Sequence, residues 1–215
     1  MTQAQQYIPA LRFHFLTPLY DATLKYVMRE RHYKEELCRI VPQHAEKILD
    51  VGCGTGTLTA MMKRTHPSSH IHGVDIDDNV LKLAQQKIVQ QSLNISLHKG
   101  SVIQLPFEDN SFDAAFSCLV IHHLITQDKQ KAMQEIFRVL KPGGKLAIAD
   151  FSPPHNISMM MITLATQNFE ETYDNFHGRL LEFIPQAGFS QLSVDGNFWT
   201  PLGTVSIITA TKPIH

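Results

Sequence analysis

From about residue 46 onward, short uninterrupted apolar runs alternate with amphipathic stretches, and this alternation leaves the chain very few architectures. Residues 48–51, 71–75, 95–97, 113–120 and 145–150 read as strands, apolar on both sides. The stretches between them carry helical spacing. A helix is predicted over 57–65, and another over 79–91, where Val80, Leu81, Ala84 and Ile88 share one face. A third, over 128–140, lines up Ala132, Met133, Ile136, Phe137 and Leu140 before Lys141-Pro142-Gly143-Gly144 stops it. Continuous apolar strands separated by helices mark a parallel sheet covered on both faces. The last two strands, 191–195 and 205–211, have a loop but no helix between them, so they must be antiparallel and the sheet mixed.

Outside this pattern, residues 1–45 read as helical, with Leu24, Val27 and Met28, then Leu37, Ile40 and Val41, at helical spacing up to Pro42. Residues 155–185 return to helix. The predicted organisation is therefore an N-terminal helical region over 1–45 and one α/β unit over 46–215, with a helical insertion at about 155–185. A 215-residue chain suits one domain with an appended subdomain. At 43% hydrophobic and 18% charged it can build a core, which excludes intrinsic disorder. Nineteen basic against twenty acidic residues leave no basic excess, which argues against a nucleic-acid partner.

Cys38, Cys53 and Cys118 are odd in number, far apart and without a CxxC pair. They exclude a zinc ribbon and point to reduced thiols in a cytoplasmic compartment. The first residues lack a basic-then-apolar leader, and the apolar stretch at 157–165 is about half a bilayer span. The expectation is an intracellular chain without an integral membrane segment.

Chemistry concentrates where strands end. Asp50-Val51-Gly52-Cys53-Gly54-Thr55-Gly56 joins the first strand to its helix, and such glycines let backbone approach a ligand and open a helix N-terminus. The spacing is GxGxG, with Thr57 where the dinucleotide fingerprint has its last glycine, so a ligand without a pyrophosphate fits better. Asp75 ends the second strand 19 residues after Gly56, where a carboxylate accepts the two hydroxyls of a ribose. Asp77 or Asp78 then caps the following helix. His122-His123 lies just past the fourth strand, as a general base, a substrate contact or a packing histidine. Cys53 and Cys118 have no evident base and read as structural or ligand-lining. His70 and His72 form half a metal site that nothing nearby completes, so no metal is predicted. Met159-Met160-Met161 is either an adaptable lining for an apolar molecule or core filling.

Taken in order, LDVGCGTG, GVDID, LPFEDNSFDAAFSCLVIHHL and EIFRVLKPGGKLAIADF resemble the class I S-adenosylmethionine-dependent methyltransferases. The resemblance covers about residues 46–152. It is nearest to the small-molecule group that includes the ubiquinone and menaquinone methyltransferases. It implies a Rossmann-like, doubly wound, seven-stranded mixed sheet with the last strand antiparallel and S-adenosyl-L-methionine across the strand ends. It also implies methyl transfer to a small, partly apolar acceptor such as a quinone precursor or a lipid headgroup amine. Asp50, Gly52, Cys53, Gly54 and Gly56 would hold the methionine part, Asp75 the ribose, and Ile76 the adenine face. Ser101 and Val102 would meet the adenine edge; many relatives have Asp where Ser101 stands, which leaves the Val102 amide. Ser117 and Cys118 would border the sulfonium end. Tyr20, in a Tyr20-Asp21 pair similar to one near the N-terminus of quinone methyltransferases, and His122 are the candidate catalytic side chains. Acceptor specificity is expected in 1–45 and 155–185, with His14 and Tyr20 contributing. The Asn/Asp-Pro-Pro-aromatic motif of base methylation is absent: Ser117-Cys118-Leu119-Val120 stands there. Two alternatives are a nicotinamide-dependent oxidoreductase, which the GxGxG spacing disfavours, and a cofactor-binding partner subunit without catalysis.

Overall fold

In a computed structural model, residues 30–166 and 171–214 are described. The elements are α1 Glu30–Ile40, β1 Lys47–Val51, α2 Thr57–Thr65, β2 His70–Asp75, α3 Asp78–Gln90, β3 Ile95–Lys99 and β4 Phe112–Cys118. A short 3-10 turn, Ile121–His123, leads to α4 Thr126–Val139, β5 Leu140–Ser152, α5 Ile157–Thr166, α6 Tyr173–Phe176, α7 Leu180–Gln186, β6 Ser190–Thr200 and β7 Gly203–Thr211. The seven strands form one sheet in the order β3-β2-β1-β4-β5-β7-β6. β1 to β5 pair in parallel, and β7 runs antiparallel to both of its neighbours. The reversed strand is thus second from the edge, and β6 is the edge.

The apolar runs are continuous because each strand feeds two cores. Leu49, Ala115, Leu146 and Ile148 face one side with Met133, Ile136 and Ile184. Ile48, Ala114, Ala147 and Ala149 face the other with Tyr33, Leu37 and Met62. Successive side chains of a strand alternate between faces, so helices on both sides demand apolar residues at nearly every position. Full burial of each leucine, isoleucine or methionine side chain stabilises by roughly 1.5–3 kcal/mol. α1 covers the second core through Tyr33, Leu37 and Cys38.

Several boundaries depart from the sequence reading, among them β6, which runs on to Thr200 where the reading ended at 195. β4 stops at Cys118 because Leu119 turns left-handed, at φ 55°. β5 begins at Leu140, since Lys141–Gly144, read as a helix stop, instead forms an irregularity within the strand, with Gly143 at φ 79°. The predicted helical insertion is three helices, α5 to α7. α5 buries only Met159 and Thr163 and exposes Ile157, Met160, Met161 and Leu164. Of the predicted 1–45 helical region, Glu30–Ile40 is helical, while Leu24, Val27 and Met28 lie outside the described residues. Among the described residues, no helix is long and apolar enough to cross a membrane.

Candidate active site

The C-terminal ends of β1 to β5 share one edge of the sheet because these strands are mutually parallel. The loop after β1 folds back onto β2: the amides of Gly52 and Cys53 both donate to the Val74 carbonyl, at 2.8 and 3.0 Å. Gly52, Gly54 and Gly56 all have positive φ, but their surroundings differ. A Cβ at Gly52 would lie 2.5 Å from Val120, and one at Gly56 3.0 Å from Ala84. A Cβ at Gly54 would meet nothing within 4 Å. The outer two glycines allow close packing, and the middle one puts bare backbone against open space.

That backbone is tied to the end of β2. Asp75 accepts the Gly54 amide on Oδ2 at 2.9 Å and the Asp77 amide on Oδ1 at 3.0 Å. Burial raises the Asp75 carboxyl above its ordinary value, with those backbone bonds pulling the other way. Ile76 beside it is exposed. Asp77 caps α3, accepting the Asn79 amide at 2.7 Å, whereas Asp78 pairs with Lys99. The β3 end is held to the same place, since Gly100 donates to the Asp75 carbonyl at 2.9 Å. Beyond it, Ser101 bridges to Gln104 and its hydroxyl accepts the Ile103 amide at 3.4 Å, while Val102 packs into the first core.

Four candidates are placed more deeply than their expected roles require. Asp50 is only 1% exposed and accepts the Thr59 hydroxyl at 2.6 Å, bracing α2 from beneath the loop. Burial pushes its carboxyl up to about 6, against the Thr59 bond and the Lys34 charge. Cys53 is buried against Gly73, and burial raises its thiol strongly. Ser117 is fully buried and donates to the Val51 carbonyl at 3.1 Å, so its hydroxyl faces β1 instead of the open end. Cys118 is half-buried, and burial pushes its thiol up to about 12. Near these groups lies a pair that sequence reasoning missed, Lys34 to Glu30 at 2.7 Å, buried on α1. The i,i+4 spacing of opposite charges on a helix was the available signal.

Past β4 stands a second constellation. His122 is 5% exposed, and its Nδ1 lies 2.8 Å from Oδ1 of Asp150, which is fully buried at the end of β5. The other oxygen, Oδ2, accepts the amides of Val120, Ile121 and His122 at 3.2, 2.8 and 3.4 Å. Leu119 turns the chain into this arrangement and donates to the Ala149 carbonyl at 2.8 Å. Burial acts to raise the Asp150 carboxyl, and the charge and hydrogen bond of His122 outweigh it, holding it below the usual range. The His123 ring lies 4.0 Å from that of His122, and Phe151 meets His122 edge-on at 4.9 Å. Asp150 was also missed.

His70 is exposed, while Nδ1 of His72 lies 3.0 Å from Nε2 of His98, between Phe107 and Phe112. His72 therefore pairs with a third histidine and not with His70. Tyr20 and His14 lie outside the described residues. A groove of about 380 Å³ between α1 and β6, with Arg39, Phe198 and Trp199 on its walls, contains none of the strand-end residues above.

Residues 49–148 match the family model described as "Methyltransferase domain". The chain is 33% identical over 148 residues to a demethylmenaquinone methyltransferase of Listeria monocytogenes serotype 4a, covering 66% of this chain and 62% of that protein. It is 35% identical over 148 residues to the demethylmenaquinone methyltransferase of Lactiplantibacillus plantarum, with the same coverage. The chain thus spans about three fifths of the length of these curated relatives. In fold it is similar to a possible histamine N-methyltransferase of Thermotoga maritima, at a TM-score of 0.70 and 20% identity, covering 92% of this chain and 97% of that one.

Proposed function

We propose that this chain, which carries a methyltransferase domain on the class I seven-stranded sheet, moves a methyl group from S-adenosylmethionine to a small, partly apolar acceptor. The observation that carries the reading is the bare backbone at Gly54, facing open space and hydrogen-bonded to the Asp75 carboxylate at the end of β2. A ribose needs such a carboxylate, and the residues around it fit the rest of the group. Exposed Ile76 would lie on the adenine, with Ser101 and Val102 at its edge. The Gly52, Cys53, Gly54 and Gly56 backbone, braced by Asp50, would hold the methionine part beside Cys118. Ser117 would contribute only through the β1–β4 contact that it locks.

When bound, S-adenosylmethionine supplies a methyl on a positively charged sulfur, which keeps the bond electrons as the methyl leaves. The chain must align the acceptor with that methyl and remove the acceptor's proton. Most of this task is positioning. His122 is the proton acceptor in this reading, being the titratable group held at the β4 end. The acceptor side is built from the N-terminal 1–45 region and the 155–185 insertion. Apolar side chains of α5 are exposed there, and the Asn175 amide, 1% exposed, has no hydrogen-bond partner among the described residues. A buried amide left unpaired is costly unless a ligand satisfies it. The name shared by the curated relatives favours a quinone precursor within this class.

Calorimetric titration with S-adenosylmethionine, S-adenosylhomocysteine and NADH, followed by transfer of labelled methyl to a reduced prenyl naphthoquinone, tests the reading. Binding of the first two and label in the quinone fraction is the expected result. Binding of NADH alone would favour an oxidoreductase, and binding of S-adenosylmethionine without transfer to any metabolite would favour a partner subunit.

A further inference from the structure

Asp150 has no place among the groups assigned above, although it is the most completely enclosed carboxylate at the strand ends. Each of its oxygens has a separate duty. Oδ2 gathers three backbone amides of the turn that carries His122, and Oδ1 faces Nδ1 of the same histidine at 2.8 Å while also accepting the Phe151 amide at 2.7 Å. The carboxylate therefore cannot rotate without abandoning three donors, and it presents a fixed acceptor to the ring. We infer that Asp150 is a positioning residue that fixes the tautomer of His122, holding the proton on Nδ1 and the basic lone pair on Nε2. This inference rests on the reading of His122 as proton acceptor.

The chemistry follows from the donor count. A carboxylate has no proton to give, so the ring nitrogen facing it must be the one that bears hydrogen. Nε2 is then the nitrogen that can take a proton from the acceptor. The acceptor's bonding pair stays on its nucleophilic atom, and the resulting imidazolium is paired with the Asp150 carboxylate. The acceptor class narrows accordingly to groups that surrender a proton on methylation: a phenolic or enolic hydroxyl, the ring carbon activated by one, or an ammonium. A tertiary amine or thioether has no such proton and gives this pair nothing to do.

Asn at position 150 makes a sharp test. Its single oxygen has three turn amides to accept in the Oδ2 position against one, that of Phe151, in the Oδ1 position, so it takes the former and the NH2 group is left against Nδ1. That nitrogen must then accept, and the proton moves to Nε2. The experiment is long-range ¹H–¹⁵N NMR on the free, histidine-labelled protein, with His122→Gln identifying the His122 signals among the twelve histidines. Wild type should show the Nδ1–H tautomer and Asp150→Asn the Nε2–H tautomer. In parallel, kcat for methyl transfer to a reduced prenyl naphthoquinone should fall by about 10²–10⁴-fold in Asp150→Asn, while S-adenosylmethionine affinity stays within twofold. An Nε2–H tautomer in wild type overturns the inference even where the variant does not fold. So does an Asp150→Asn enzyme within threefold of wild type while His122→Gln is inactive. If His122→Gln is itself fully active, the reading of His122 as base fails, and the tautomer loses its catalytic meaning.

Discussion

Asp75 holds the amides of Gly54 and Asp77 on its two oxygens, so removing its carboxylate acts on the turn as well as on any ligand. Asp75→Ala should weaken S-adenosylmethionine binding at least tenfold, since hydrogen bonds to a charged group contribute about 1.5–3 kcal/mol. It should also lower the melting temperature modestly; calorimetric titration beside a thermal melt separates the two, and unchanged affinity would remove Asp75 from the ribose site. The glycines of the loop should part company in the same pair of measurements. Gly54→Val has room but sits at φ 53°, so the protein should fold with a strain of about 1–2 kcal/mol and fail to bind. Gly52→Ala meets Val120 at 2.5 Å and should lose more stability than Gly54→Val. If Gly54→Val binds normally, the open space beside it is not the ligand's. Residues of this kind were legible beforehand because their spacing carries their chemistry. Asp150 was not: an aspartate closing an apolar strand bears no local mark of a partner 28 residues earlier, which only the β4–β5 pairing supplies.

At the scale of elements, α5 holds its two roles on adjacent residues. Met159 is fully buried and Met160 about half exposed, at 51%. Met159→Ala should destabilise by about 2–5 kcal/mol, as a core truncation does. Met160→Ala should leave the denaturation midpoint in place and raise the acceptor KM while S-adenosylmethionine affinity holds. Loss of stability in Met160→Ala with unaltered kinetics would make α5 a packing helix only. The sequence could not divide these roles, because three successive methionines present the same chemistry and the packing of the folded chain selects which one is buried. Helix limits were more legible: α2 occupies Thr57–Thr65, as predicted, because a left-handed glycine opens it. β5 was cut short in prediction because Pro142-Gly143-Gly144 carries the marks of a turn, whereas the run bulges between the Leu140 and Lys145 pairings with β4 and is held by backbone bonds between Lys212 and both Gly143 and Gly144.

In the whole molecule's response to acid, half-buried His72 and buried Asp50 act in opposite directions. Burial, helped by the charge of His98, depresses His72 from 6.5 to about 4. The unfolded chain therefore takes up that proton first, and stability present above about 6.5 is lost as pH falls toward 4. Asp50 is raised from 3.8 to about 6, so the folded state takes up its proton first and gains stability across the same interval. His72→Phe, placed against Phe107 and Phe112, should remove the first effect alone. Urea midpoints measured at pH 7 and pH 5 should fall less on acidification in the variant than in wild type; an equal fall would show that His72 is not the group responsible. The sheet order has one more consequence. It reverses between β1 and β4, with the glycine loop and Asp75 on one side of that seam and His122, Asp150 and α5 to α7 on the other. Descendants of such a chain can rewrite the second side and inherit the first unchanged. What is modified, with the groups that meet it, then becomes free to drift across a lineage, while the grip on the other reactant stays under one unbroken selection.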